Sequence, residues 1–311
     1  MSVFPKISII IPTYKRPDSI NEAVENCLSQ TYENKEIIVI DDNGLNTDYQ
    51  KRTQKNLRKY INSDEIKYFP LKDNWGACAA RNFGIKKSSG KYIAFFDDDD
   101  EWTLDKIEKQ FEVFAQSDDH LGIVVCSQKV VDVNANKEIT TTHYNTLEYN
   151  TFEILLNSSI TFATPNPLFR RSALISVNGF TENLESSQDL DLSLKIIKKF
   201  NLKSIPKVCH IVKIHNGERI STNHWKKISG FKYILEQYAD DLNDAGKMLY
   251  LKRIIMHCYY GKIVDDLEVY VEQLIQLNGF TLKYRFFYLG TKTKFLRIIL
   301  DGYIKTANYL R

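Results

Sequence analysis

The amino-acid sequence predicts an α/β fold, with a mainly parallel, Rossmann-like central sheet flanked by helices and a helical C-terminal extension. Three observations lead to this prediction. Short runs of β-branched apolar residues alternate with segments of helical periodicity in the first part of the chain, which is typical of βαβ units. Polar residues follow several of these runs, at the strand ends where open α/β sheets bind ligands. After about Ser221 only helical periodicity remains.

The first predicted strand, residues 7–11, is a continuous apolar run that ends at Pro12, as expected for a strand buried on both faces. Apolar residues then recur at helical spacing over residues 20–28. The alternation continues with strands predicted at residues 37–40, 66–69 and 92–96 and with helices at residues 48–59, 77–87 and 104–114. Right-handed crossovers would place the carboxyl ends of these strands along one edge of the sheet.

The middle of the chain is less regular, and a domain boundary is expected near residue 220. It divides the chain into a sheet-containing domain, residues 1–220, and a helical region, residues 221–311. The elements predicted between the fourth strand and this boundary are a long strand at residues 123–133, a short strand around Phe169, a helix carrying Leu190 and Leu194, and a strand at residues 208–214.

Composition excludes several classes of protein. Hydrophobic residues make up 43% of the 311 residues and charged residues 26%, as in ordinary globular proteins. The five cysteines are widely spread and contain no CxxC pair, which argues against a disulfide framework and a thiolate zinc site. No apolar stretch is long enough to span a bilayer, and the first residues do not resemble a signal peptide. We therefore expect a cytoplasmic protein.

Four consecutive carboxylates, Asp97–Asp100, follow the fourth predicted strand directly. Adjacent carboxylates resist ionising together unless a cation is present, and Mg²⁺ or Mn²⁺ prefers such oxygen ligands. A solvated acidic turn or a helix N-cap would also explain these residues. The glycine-containing spacing of an EF-hand loop is missing, which argues against that kind of calcium site.

Taken together, the motifs resemble the family 2 glycosyltransferases of the GT-A fold, of the type that builds bacterial surface polysaccharides. The resemblance covers about residues 5 to 220. The stretches that carry it, in chain order, are IIIPTYKRPDSINEAVENCLSQTY, EIIVIDD, NWGACAARNFGIKKSSGKYIAFFDDDDEW and NGFTENLESSQDLDLSLKI.

The resemblance implies a set of residues that bind a nucleotide-sugar donor. Three of them, Pro12, Thr13 and Tyr14, would form the wall of the nucleobase pocket. Asp41 would accept a hydrogen bond from a base N–H, as in relatives that select uracil. The remaining members of the implied set are Arg16, Arg81 near the base or diphosphate, Asp97 at the ribose, and Asp98.

The resemblance also implies a metal ligand and a general base. Asp99 would bind the Mn²⁺ or Mg²⁺ that bridges the diphosphate, and His215 would contact the metal or a phosphate unless it is a structural histidine. Asp189 matches the family's general base, although Gln188 replaces the glutamate that usually precedes it. Asp191 is the alternative base, and a helix-start acid without a catalytic task is the alternative role for Asp189. On a helix the two positions point about 200° apart, so only one can face the donor.

The activity implied by the resemblance is metal-dependent, inverting transfer of a hexose or N-acetylhexosamine from a UDP-sugar. The acceptor would be a hydroxyl of a saccharide or lipid-linked saccharide. A non-catalytic scaffold that binds nucleotide-sugars is the alternative, because Gln188 departs from the family pattern. A sugar-1-phosphate nucleotidyltransferase is disfavoured, since residues 12–16 lack the glycines of a phosphate loop.

Partner binding is predicted for the basic C-terminal segment, residues 281–311, which carries seven basic residues and a single acidic one. A helix with Phe295, Ile298 and Tyr303 on one side could lie on an anionic membrane surface, making the protein peripheral on the inner face of the plasma membrane. The alternatives are packing on the protein's own core or on a second subunit in a homodimer. General nucleic-acid binding is not expected, because the net charge is only +3.

Two tryptophans flank the predicted site in sequence, Trp75 and Trp102. Each could either shape a sugar pocket or pack in the core.

Overall fold

The computed structural model describes residues 4–135, 137–144, 151–158, 160–214, 223–263, 267–278 and 281–293. They form two compact units. The first consists of residues 1–152, 161–183 and 189–216, and the second of residues 153–160, 184–188 and 217–311. The roles assigned to residues 1–220 and 221–311 stay a prediction.

The first unit is built on the predicted parallel sheet. Four strands pair in parallel in the order β3-β2-β1-β4. Three helices connect them, and this confirms the predicted α/β class with helices beside the sheet. The elements are β1 (Ile7–Thr13), α1 (Ile20–Leu28), β2 (Lys35–Asp41), α2 (Asp48–Asn62), β3 (Lys67–Pro70), α3 (Ala77–Lys87) and β4 (Tyr92–Phe95).

The sheet continues from β4 in the order β8-β6-β9-β5, with β7 paired to β6. The β6–β9 pair is parallel, and the remaining pairs in this part are antiparallel. The elements are β5 (Glu101–Trp102), α4 (Lys106–Ala115), β6 (Leu121–Asp132), β7 (Lys137–Thr142), α5 (Thr151–Asn157), β8 (Leu168–Arg170), α6 (Arg171–Ser176), α7 (Gln188–Ile197) and β9 (Asn201–Ile214).

Some local predictions were wrong or incomplete. The fourth helix begins after Leu104, which is 58% exposed and does not belong to its apolar face. The strands β5 and β7 and the helices α5 and α6 were not predicted. The strand β5 has two residues and β7 is polar and largely exposed, so neither shows the apolar alternation by which strands are recognised.

Register brings the ends of the first strands to one edge of the sheet. Thr13 lies beside Asp41, and Ile10 lies beside Phe95, whose neighbour Phe96 donates its N–H to the Ile10 carbonyl. The helix α3 approaches β1 closely because it presents Gly84, where an added Cβ would lie 2.5 Å from the Ile10 side chain. The loops after β1, β2 and β4 therefore meet above a rigid, apolar core.

The second unit contains the predicted C-terminal helices, which are α8 (His224–Gln237), α9 (Asp244–Gly261), α10 (Leu267–Gln276) and α11 (Leu282–Lys292). Asparagine side chains cap two of them: Asn223 accepts from the Lys226 N–H and Asn243 from the Gly246 N–H. Tyr250 is buried and donates to the Leu156 carbonyl at 2.9 Å. In the described part of the chain, no helix is both long and apolar enough to cross a membrane.

Two sequence predictions fall outside the described residues. They are the metal or phosphate contact of His215 and the apolar side of the predicted C-terminal helix, which carries Phe295, Ile298 and Tyr303.

The buried rings of Phe96 and Trp102 form an apolar platform around the four carboxylates Asp97–Asp100, and this platform also buries Lys106. Trp102 is 1% exposed and contacts Phe96 at 4.7 Å between ring centroids, so the core-packing alternative holds for this tryptophan. The ammonium of Lys106 lies 4.0 Å from the centroid of the Trp102 ring and donates to Gln110 Oε1 at 2.8 Å. No carboxylate in the described residues pairs with Lys106, and burial lowers its pKa to about 8.

Lys106 should make stability depend on pH. The folded-state pKa of Lys106 lies below the ordinary value of 10.5, so burial of its charge lowers the free energy of unfolding. This penalty has its full size below about pH 8, decreases as the pH rises and is gone above pH 10.5. Wild-type stability should therefore gain up to about 3 kcal/mol over this window from Lys106 alone. In Lys106→Met this contribution should be absent, as measured by urea unfolding at several pH values. The exposed control Lys51→Met should keep the wild-type profile, and an unchanged profile in Lys106→Met would show that Lys106 is not buried as a charge.

Candidate active site

The four carboxylates after β4 alternate between the protein interior and the surface. The side chains of Asp98 and Asp100 are 6% and 8% exposed, whereas those of Asp97 and Asp99 are 30% and 22% exposed. The N–H of Asp100 donates to the Asp97 carbonyl at 3.1 Å, which closes the segment into a turn. Asp97 and Asp99 are thereby presented together at the surface.

Asp98 ties this turn to the end of β1. It accepts hydrogen bonds from Thr13 Oγ1 at 2.7 Å and from Arg16 Nη1 at 3.0 Å. Arg16 Nη1 also lies 2.6 Å from Asp99 Oδ2. Burial raises the pKa of Asp98 to about 6, although Thr13 and Arg16 both favour its ionised form. Thr13, Arg16 and Asp98, to which the resemblance assigns donor binding, thus form one hydrogen-bonded network in which Thr13 and Asp98 are buried and Arg16 is partly exposed.

Asp100 is anchored to the other side of the sheet by His210. The Nε2 atom of His210 lies 2.8 Å from Asp100 Oδ2, and both side chains are buried. The antiparallel β5–β9 pairing sets this contact, since it places Trp102 beside His210. Among the residues that the structure describes, no hydrogen-bond partner is found for the buried Nδ1 of His210. Sequence analysis missed His210, because a lone histidine in an apolar strand carries no signal until strand pairing is known.

The carboxylates at the end of β2, Asp41 and Asp42, are buried and accept hydrogen bonds from neighbouring segments. Asp41 is 0% exposed and accepts hydrogen bonds from Tyr68 Oη at 2.6 Å and from the Asn43 side chain at 2.7 Å. Its pKa is raised by burial. Asp41 therefore faces Tyr68 and Asn43 in this structure, not the solvent, and its contact with a nucleobase stays a prediction.

Asp42 holds the segment that leads into α3. It accepts from the backbone N–H groups of Trp75 at 2.6 Å and Gly76 at 2.9 Å, and from Asn74 Nδ2 at 3.1 Å. Burial raises the pKa of Asp42 as well. Its role is to fix the start of α3 to the end of β2, a role that sequence analysis did not assign.

The loop after β1 presents an aromatic ring to solvent. Tyr14 is 44% exposed, and the ammonium of Lys15 lies 5.0 Å from its ring centroid. Pro12 is half-buried beside it. The Lys15 N–H donates to Asn43 Oδ1 at 2.6 Å, which joins this loop to the loop after β2. The Tyr14 ring is therefore available for stacking on a planar ligand.

Arg81 connects α3 to the acidic turn. Its Nη2 atom lies 2.7 Å from Asp97 Oδ1, and the guanidinium side chain is buried. Burial by itself lowers the Arg81 pKa, but attraction to Asp97, together with smaller effects that include Asp189, raises it overall. A fixed positive charge thus lies beside Asp97, within the electrostatic reach of α7.

The two candidate bases on α7 have different surroundings. Asp191 is 0% exposed, accepts from Thr181 Oγ1 at 2.6 Å and lies 3.2 Å from Lys195 Nζ. Asp189 is half-buried in the first turn, and its Oδ1 accepts the Leu190 N–H at 2.8 Å. The structure therefore gives Asp191 an interior ion pair and leaves Asp189 closer to solvent.

The donor set suits a hard divalent cation. Asp97 and Asp99 offer partly exposed carboxylate oxygens on one turn. Within the described ranges no group of three or more His, Cys, Asp and Glu side chains could hold a metal ion. A pair of carboxylates is nonetheless what Mg²⁺ or Mn²⁺ usually takes from protein when phosphates complete its shell. The residues present therefore fit a metal that binds together with a diphosphate.

Solved structures share this fold. The crystal structure of S. aureus TarS in complex with UDP-GlcNAc has a TM-score of 0.58 and 18% identity, and the match covers 92% of this chain and 79% of that one. A mannosyltransferase from Pyrobaculum calidifontis in complex with GDP-Man and Mn²⁺ has a TM-score of 0.56 and 16% identity, with 98% and 89% covered. At these identities the likeness concerns the fold, and it confirms the GT-A prediction.

Sequence relatives are named as glycosyltransferases. An uncharacterized glycosyltransferase of Rickettsia felis (strain ATCC VR-1525 / URRWXCal2) is 36% identical over 214 residues, which cover 68% of this chain and 33% of the relative. This chain thus spans about a third of that relative's length. A putative colanic acid biosynthesis glycosyl transferase of Escherichia coli (strain K12) is 28% identical over 256 residues, 78% of this chain and 85% of the relative.

A third relative is the putative teichuronic acid biosynthesis glycosyltransferase of Bacillus subtilis (strain 168), 39% identical over 109 residues, 35% of this chain and 41% of the relative. The model of the family described as "Glycosyl transferase family 2" matches residues 8–177. This range is more than half of the sequence and contains β1 apart from Ile7, β2 to β4, the acidic turn and Arg81. The chain belongs to glycosyl transferase family 2.

Proposed function

We propose that this chain transfers a hexose or N-acetylhexosamine from a UDP-sugar to a hydroxyl group of a saccharide acceptor, with inversion at the sugar carbon, in the synthesis of a surface polysaccharide. The observation that carries the proposal is the alternation of the acidic turn. It presents Asp97 and Asp99 at the sheet edge, where the guanidinium of Arg81 pairs with Asp97 and also feels the charge of Asp189 on α7. The relatives named for colanic and teichuronic acid biosynthesis support the polysaccharide product.

Donor binding is assigned to the loops after β1 and β4. The exposed ring of Tyr14, with Pro12 beside it, offers a stacking surface for the base. Asp97 is assigned to the cation in place of the ribose contact that the resemblance implies. Arg16 and Arg81 place two cationic side chains where the diphosphate would lie. We choose uracil as the base because a structural neighbour is described in complex with UDP-GlcNAc. Asp41 can accept a hydrogen bond from this base only if the base displaces Tyr68 or Asn43 from its carboxylate.

A divalent cation is assigned to Asp99 and Asp97, and Mn²⁺ in one structural neighbour supports this assignment. When bound, Mn²⁺ or Mg²⁺ supplies positive charge that stabilises the departing diphosphate. Arg16 would exchange its contact with Asp99 for one with the phosphates while it keeps its hydrogen bond to Asp98, because the ion pair with Asp99 is partly exposed and contributes little to stability. His215 as a further ligand stays a prediction.

Asp189 is assigned as the general base. The acceptor oxygen would form its bond to the anomeric carbon while the bond from that carbon to the diphosphate oxygen breaks, and Asp189 would take the hydroxyl proton. A single base and direct displacement imply inversion and no covalent intermediate. Asp191 is unsuited to this role, because Thr181 and Lys195 occupy its carboxylate in the interior.

A lipid-linked acceptor, peripheral contact with the membrane and a homodimer remain predictions. They depend mainly on residues 294–311, which lie outside the described part of the chain.

Replacement of the two α7 carboxylates should separate catalysis from structure. Asp189→Asn keeps an oxygen for the Leu190 N–H but removes the base, so kcat should fall about 10²- to 10⁴-fold while UDP-sugar affinity is unchanged. Asp191→Asn should lower the unfolding temperature, because it leaves Lys195 without its buried partner. Turnover of a radiolabelled UDP-sugar measures kcat, titration with the donor measures its affinity, and thermal unfolding measures the stability of each variant. An Asp189→Asn rate within a few-fold of wild type would refute the assignment, and wild-type donor binding without any turnover would favour the scaffold alternative.

His210 should act as a positioning residue for the acidic turn. His210→Leu removes the partner of the buried Asp100, so the turn should shift and Mn²⁺ should bind about 10- to 100-fold more weakly in the presence of UDP. His210→Gln carries an amide that can donate to Asp100, and it should restore most of the affinity. Calorimetric Mn²⁺ titration checks this expectation. Equal losses in both variants would mean that His210 serves packing alone.

A further inference from the structure

Trp75 lies on the outer face of the first unit, away from the core that buries Trp102. It is 48% exposed, so core packing does not explain it. Together with Ala79, Phe83, Lys86 and Glu182 it lines a groove of about 390 Å³. This volume falls within the range of small-ligand sites. We refer to this feature as the Trp75 groove.

Two contacts position Trp75, one through its backbone and one through its indole. Its backbone N–H donates to the buried carboxylate of Asp42 at 2.6 Å. The indole meets Phe83 edge to face at 5.7 Å between centroids, and Phe83 in turn meets Phe69 at 5.9 Å. A half-exposed aromatic ring that is already fixed loses little conformational entropy when a ligand stacks on it.

The two charged residues that line the groove, Lys86 and Glu182, have opposite charges. Ala79, Phe83 and Lys86 share the outer face of α3, because they follow helical spacing. Lys86 is exposed, and no carboxylate pairs with it in the described ranges. Glu182 accepts one hydrogen bond, from Asn82 Nδ2 at 3.0 Å, which orients its carboxylate and leaves further lone pairs for a ligand.

This combination suits an acidic saccharide better than a nucleotide or an apolar peptide. The carbon-bound hydrogens on one face of a pyranose ring stack on an indole, and its hydroxyls hydrogen-bond to a carboxylate such as Glu182. An anionic substituent of the sugar would pair with Lys86. A nucleoside diphosphate would meet Glu182 with like charge, and an apolar segment would leave both charged groups without partners.

We propose that the Trp75 groove binds an acidic sugar unit of the growing saccharide, with its ring on Trp75, its carboxylate at Lys86 and a hydroxyl at Glu182. The choice of an acidic saccharide rests on the proposed function, through the relatives named for colanic and teichuronic acid biosynthesis. The groove is a second binding site that holds the acceptor chain and takes no part in the bond exchange at the acidic turn.

Binding of a galacturonic acid trisaccharide, with maltotriose as the neutral comparison, tests this proposal without a donor or turnover. Of the three tryptophan indole N–H signals in NMR spectra, that of Trp75 should shift saturably with the acidic trisaccharide, and those of Trp102 and Trp225 should not. By calorimetry, Trp75→Ala should weaken binding about tenfold or more. Lys86→Gln should lower the affinity for the acidic trisaccharide about two- to fivefold and leave the affinity for maltotriose unchanged.

Matched variants keep the outcome decisive. Trp75→Phe should retain most of the affinity, since it keeps an aromatic wall, and the exposed Trp225→Ala and Lys51→Gln should bind like wild type. UDP with Mn²⁺ is titrated in parallel and should bind all these variants equally. No Trp75 shift, equal losses in Trp75→Phe and Trp75→Ala, or displacement of the trisaccharide by UDP would overturn the groove proposal. A wild-type protein that does not bind UDP in the presence of Mn²⁺ would instead contradict the proposed function.

Discussion

The burial of Asp98 against Thr13 and Arg16 is the constraint on which the rest of the site depends. Asp98 is the second of four consecutive carboxylates, and an isolated chain would turn all of them toward water. Because Asp98 is instead hydrogen-bonded to the end of β1, its neighbours Asp97 and Asp99 are directed outward. On the far side, Asp100 is held by His210. The turn thus has two inward anchors and two outward carboxylates, and both anchors are bonded to strands of the same sheet.

Other parts of the first unit serve the same arrangement. Asp42 fixes the start of α3, and Gly84 lets that helix approach β1, so that Arg81 reaches Asp97. The apolar platform next to the turn reduces the stability of the fold, since it buries Lys106 as a cation beside the Trp102 ring. Burial of charged groups without full compensation is unfavourable for stability.

Much of the fold and part of the site could be predicted from sequence. Apolar runs and helical periodicity located β1 to β4 and the helices between them, because local patterns determine these elements. The same edge-of-sheet argument brought Thr13, Arg16, Asp98 and Asp99 together, and the structure joins them. What sequence could not supply depends on contacts between distant residues. Register alone pairs His210 with Asp100, tertiary packing buries Asp41, and the exposure of Trp75 follows from how α3 lies on the sheet.

The central claim is that Asp97 and Asp99 face outward to hold a divalent cation together with a nucleoside diphosphate. Calorimetric titration of UDP with and without Mn²⁺ tests it most directly, on wild type, Asp99→Asn and the exposed control Asp18→Asn. Mn²⁺ should strengthen UDP binding to the wild type and the control. Asp99→Asn should bind UDP with the same weaker affinity whether or not Mn²⁺ is present. Wild-type UDP affinity that does not depend on Mn²⁺, or an Asp99→Asn variant that keeps the full Mn²⁺ effect, would contradict the account.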